Sequence, residues 1–101
     1  MTTRVVVTAL ADADVADILA EIAREAGVRI AEKYNRRFES FFERIAAHPE
    51  ICPSRASLGA HVRVGVVFPY LVVYRRLEGE DLLSVIRILH GRRDITRDLL
   101  Q

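Results

Sequence analysis

Between Ala9 and His48 the apolar residues recur twice at helical spacing, with almost no chain between the two stretches. Val15, Ile18, Leu19, Ile22 and Ala26 follow the i, i+3, i+4, i+7 pattern, while Asp14, Asp17, Glu21 and Glu25 fall mostly outside it. Thr8 suits the N-cap, Asp12 and Asp14 suit the positive end of the helix, and Gly27 suits its stop. A second stripe follows at once: Ile30, Tyr34, Phe38, Phe41, Phe42 and Ile45, ending before His48-Pro49. Two amphipathic helices with so short a link fold back as an antiparallel hairpin. The aromatic stripe is read as core, not as a ligand pocket.

The rest of the chain supplies strands to cover that hairpin. Arg4–Thr8 (RVVVT) is β-prone but too short to stand alone, so it reads as an added strand. Pro49–Ala60 carries Pro, Ser and Gly without periodicity and reads as a loop. From His61 to Phe68 the pattern alternates, and Val62, Val64, Val66 and Phe68 are expected to face the helices. Two runs rich in Val, Ile and Tyr follow, on either side of Glu78-Gly79-Glu80-Asp81, which reads as a hairpin turn with one residue free to take positive φ. Tyr70, Val72 and Tyr74 with Ile86 and Ile88 are expected on the inner face. The order β-α-α-β-β-β implies an α+β fold, a helix hairpin packed on a twisted, mainly antiparallel sheet, as one domain over residues 1–101.

Function is sought in what this arrangement leaves over. Each strand of the last hairpin carries an arginine inside an apolar run, Arg75 and Arg87, and a guanidinium there is costly unless it is paired. By parity the outer face carries Arg63, Arg75 and Arg87 amid Leu71, Val73, Val85 and Leu89. A face that is apolar with embedded cations should be covered, either by the C-terminal tail with the arginines paired to Asp or Glu, or by a partner. Arg87, Arg92, Arg93 and Arg97 crowd the C-terminal end beside His90. No pair of carboxylates or histidines stands at metal spacing, and the lone Cys52 excludes an internal disulfide, so neither metal nor cofactor is expected. The net charge of +1 does not announce nucleic-acid binding, and the absence of an apolar run of membrane length favours the cytoplasm.

An ordered set of segments carries a further signal. These are Asp12–Ile18 after the first strand, the Tyr34-centred second helix, His48-Pro49-Glu50, Leu58-Gly59 before Val62-Arg63, Val72–Arg75, and Ile86–Asp94 (IRILHGRRD). With these the chain resembles the ParE branch of the RelE/ParE superfamily of bacterial toxins. The resemblance implies a cognate ParD-like antitoxin made by the neighbouring gene, in a hetero-oligomeric complex. It also implies DNA gyrase as target, or, for RelE-like members, messenger RNA cut on the ribosome. The ribonucleases tend to carry several Lys, Arg, His or Tyr residues on the sheet; here Lys33, the only lysine, lies on a helix, and the tail lacks a terminal Tyr. Toxicity is therefore expected to act by binding, through Arg87, His90, Arg92 and Arg93, and the antitoxin is expected on the open face of Arg63, Leu71, Val73, Arg75, Val85 and Leu89. The rivals are a ribosome-dependent endoribonuclease and an inactive partner-binding protein.

Overall fold

A computed structural model describes residues 3–77 and 79–100. Strand β1 (Arg4–Val7) leads into helices α1 (Ala9–Ala26) and α2 (Val28–Ala47), then strands β2 (Val62–Val67), β3 (Tyr70–Arg76) and β4 (Leu82–His90). Short 3-10 turns lie at Ala56–Leu58 and Arg97–Leu100. No helix among the described residues is long and apolar enough to cross a membrane.

The local signals act as their chemistry requires. The Thr8 hydroxyl accepts a hydrogen bond from the Ala11 N–H and caps α1. Gly27, at φ 94°, ends α1 and begins α2, so the chain reverses through a single residue in a conformation that costs a side chain dearly. Of the expected hairpin turn, Glu78 lies outside the described residues, and Gly79 takes the positive φ (78°).

The sheet runs β1-β4-β3-β2, with β1 parallel to β4 and the other pairs antiparallel. Phe38, Phe41 and Ile45 of α2 meet Val67, Val72, Tyr74, Leu83, Val85 and Ile88 in the main core, with Val15, Ile18 and Leu19 of α1 packed against it. A second cluster lies on the opposite face, where Leu58, Val62, Val64 and Val73 meet Leu71, Ile86, Ile95 and Leu100.

Two expected strand faces are corrected. Val62 and Val64 belong to the second cluster, and Val66 and Phe68 are exposed; the helix-facing side of β2 is Arg63, Gly65 and Val67. That side reads as polar because its centre is a glycine into whose space α2 projects a ring. A Cβ on Gly65 would stand 2.4 Å from Phe41 Cζ. On β4, pairing shifts between Val73 and Tyr74: Val73 faces Arg87 and Tyr74 faces Val85. Ile86 is the residue left over, a β-bulge, and it packs on the outer cluster. Upstream of the bulge Leu83 and Val85 point to the helices; downstream Ile88 does.

Candidate functional site

The residues singled out at the C-terminal end converge where α1 begins, β4 ends and the tail returns. Strand β1 covers β4 only as far as Val85, because at Thr8 the chain turns into α1. The cap of α1 and its first turns then take over the bonding that a longer strand would supply. The Thr8 N–H donates to the Val85 carbonyl (3.1 Å) and the Thr8 hydroxyl to the Ile86 carbonyl (3.2 Å). The Ile88 N–H donates to Asp14 Oδ2 (2.9 Å).

Asp14 also receives Arg87, through Nε to Oδ2 at 2.7 Å and Nη2 to Oδ1 at 2.9 Å. Arg87 Nη1 donates to the Leu99 carbonyl at 2.7 Å. One guanidinium thus joins α1, β4 and the tail, and it satisfies the cost of placing a cation within an apolar run. Its hydrogen bonds to Asp14 raise the Arg87 pKa against the opposing effect of burial, so it is a permanent cation.

His90 closes β4 and is exposed. Its Nδ1 accepts the Arg92 N–H (3.1 Å), which leaves the ring proton of the neutral form on Nε2, and its ring meets Tyr70 edge-on at 5.7 Å. Burial first, then Tyr34, Glu25 and Glu21, raise the pKa of Tyr70, so its phenol stays protonated at neutral pH. Arg92 and Arg93 are exposed on a turn held by the Arg93 N–H donating to the His90 carbonyl (3.0 Å). A shallow groove of about 320 Å³ separates Tyr70, His90 and Arg93 from Asp17 and Glu21 of α1. Its two banks carry opposite charge. Among the described residues no three His, Cys, Asp or Glu side chains could hold a metal ion.

The expected arginine face does not assemble. Arg63 pairs across from Tyr74 on the helix side, and its Nη1 donates to the carbonyls of Glu50 (3.3 Å) and Cys52 (2.6 Å). Val85 also faces the helices. Val73 and Leu89 are on the outer face but buried, and Leu71 packs against the cluster that Ile95 and Leu100 of the tail cover. Arg75 is exposed. The tail therefore covers much of this face from within the chain. Asp14 is the residue the sequence reading missed. It was legible as a helix-start acid, but nothing in the spacing says that it meets a strand 73 residues away.

Residues 5–95 match the family described as the ParE toxin of type II toxin–antitoxin system, parDE. Toxin ParE3 of Caulobacter vibrioides is 33% identical over 96 residues, which are 95% of this chain and 94% of that protein. Toxin ParE1 of Mycobacterium tuberculosis is 33% identical over 82 residues, 72% of this chain and 74% of its own. A chain from the chromosomal ParDE TA system of P. aeruginosa superposes with a TM-score of 0.72 at 19% identity, over 88% of this chain and 96% of its own, and shares the fold.

Proposed function

Because the chain belongs to the ParE family of toxins of type II toxin–antitoxin systems, we propose that it acts by binding DNA gyrase and is neutralised by a ParD-like antitoxin. The observation that carries the binding mode is the dispersal of the cations a ribonuclease would gather. Arg63 is turned to the helix side and held by loop carbonyls, and Arg87 is held by Asp14 and Leu99. The groove beside His90 has Asp17 and Glu21 for its second bank, which repels a phosphate backbone. His90, Arg92 and Arg93 form an exposed cationic corner, and there we place contact with the target; Arg87 positions that corner by anchoring β4 and the tail. A partner of alternating apolar and acidic character suits the antitoxin role.

Induction of the chain without its antitoxin tests the reading. Filamentation with DNA-damage signalling, and loss of supercoiling by purified gyrase, are the expected results. Rapid translational arrest with cleaved transcripts would assign the ribosome instead, and normal growth would leave only partner binding.

A further inference from the structure

β2 is an edge strand, and only half of its outer side is covered. The Arg55 N–H donates to the Val62 carbonyl (2.8 Å), the Val64 N–H donates to the Pro53 carbonyl (3.1 Å), and Ser54 bridges Arg63. Pro53 has no N–H to return to the Val64 carbonyl, so the pairing ends there. By the alternation of the ladder, the next groups pointing to this side are the N–H and C=O of Val66, and no described residue bonds them there. Two bare apolar side chains accompany them: Val66 is 57% exposed and Phe68 73%. An uncovered apolar edge is a liability that folded proteins ordinarily cover or charge.

One flank of α2 runs beside this open half and carries the charge. Phe41 lies under Gly65, and the Arg44 guanidinium sits 5.7 Å from the Phe41 ring centroid. Arg37 sits 4.9 Å from the Tyr34 centroid and donates to the Phe68 carbonyl (3.2 Å). At about 100° per residue, Lys33, Arg37, Ser40 and Arg44 fall in one exposed strip, while Glu32, Glu39 and Glu43 fall in a separate strip about 120° round the helix. The strip is cationic and free of carboxylates.

We infer that the antitoxin docks an extended, acidic and apolar segment on the free half of β2. It adds as a strand: the Val66 N–H and C=O pair with its backbone, its apolar side chains cover Val66 and Phe68, and its carboxylates meet Arg37 and Arg44. This rests on the reading that the chain has an antitoxin, and it specifies where that partner lies and in what form.

The test uses the full chain and the antitoxin encoded beside it. Calorimetry gives the affinity of the unaltered chain and of R37E/R44E, with melting temperature as the check on folding. Hydrogen exchange reads the Val66 amide of the unaltered chain, free and in complex, so the test does not depend on the variant folding. The expected results are affinity weakened about tenfold or more by the charge reversals and slowed exchange at Val66 in the complex. Unchanged affinity of a folded variant, or unchanged Val66 exchange in a saturated complex, would overturn the inference and leave the toxin–antitoxin reading standing. Concentration-dependent protection of Val66 in the free chain would assign the edge to a second copy and also overturn it. Failure of the unaltered chain to bind at all would remove both readings.

Discussion

Asp14 near the start of α1 grips Arg87 near the end of β4 with two parallel hydrogen bonds, although 73 residues separate them. Their side chains are 15% and 16% exposed, so water screens the pair only weakly. Removing either partner strands the other's charge. Arg87→Ala and Asp14→Ala are each expected to lower stability by about 2–4 kcal/mol. The double variant should lose clearly less than the sum, since neither charge is then left behind. Denaturant melts of the four proteins measure this, and strict additivity would mean the pair is incidental.

Arg92 and Arg93 differ in kind from Arg87. Both are exposed, and no ion pair holds either of them among the described residues. Arg92→Ala with Arg93→Ala should therefore change stability by only about 0.5 kcal/mol or less. Antitoxin binding should persist while growth inhibition on induction is lost. A folded, antitoxin-binding double variant that remained fully toxic would move the target contact off this corner.

Gly65 is required for space, not for backbone freedom. A methyl group there would meet Phe41 at 2.4 Å and the Cys52 sulfur at 2.7 Å. Gly65→Ala is expected to cost about 1–3 kcal/mol through overpacking. Adding Phe41→Leu should recover part of that loss. Thermal unfolding of the single and double variants decides the matter, and a neutral Gly65→Ala would show that α2 shifts freely against β2.

Alkaline pH should weaken the fold through its tyrosines. Burial first, then the neighbouring Cys52 thiol, raises the pKa of Tyr74, whose hydroxyl donates to the Pro49 carbonyl at 3.1 Å. As pH rises through about 10 the unfolded chain releases this proton while the folded chain keeps it. The unfolded state then binds fewer protons, so stability falls with rising pH. Tyr74→Phe should be about 1 kcal/mol less stable at neutral pH, having lost one hydrogen bond. Its melting temperature should then decline less steeply in alkali, and parallel curves for the two proteins would sink this account.

The helix hairpin was fully legible because its determinants are local. The two apolar stripes repeat every third or fourth residue, Thr8 caps the first helix, and Gly27 supplies the reversal. Strand positions were legible for the same reason, and so was the helix-facing set Tyr70, Val72 and Tyr74. The faces of β2 and β4 were not. Alternation along a strand shows which residues share a side, but the side that meets the helices is chosen by what packs there. On β2 the ring of Phe41 fills the gap at Gly65, so the true inner face carries one apolar side chain where the outer carries three valines. On β4 the bulge at Ile86 reverses the parity halfway along, and nothing in LLSVIRILH marks it.

The candidate site divides along the same line. Arg87 stood out in the sequence as a charge that an apolar strand could not hold unpaired, and that inference is chemical, independent of any fold. Which group answers it depends on β1 being only four residues long. That length brings the start of α1 against β4 beyond Val85, and there Asp14 both bonds the Ile88 amide and neutralises the guanidinium. The elements, their order and the residues that required partners follow from local chemistry, because periodicity, capping and desolvation act within a few residues. Which partners those residues found is a property of the folded molecule, because a contact across 73 residues depends on strand register and on where each neighbouring element ends.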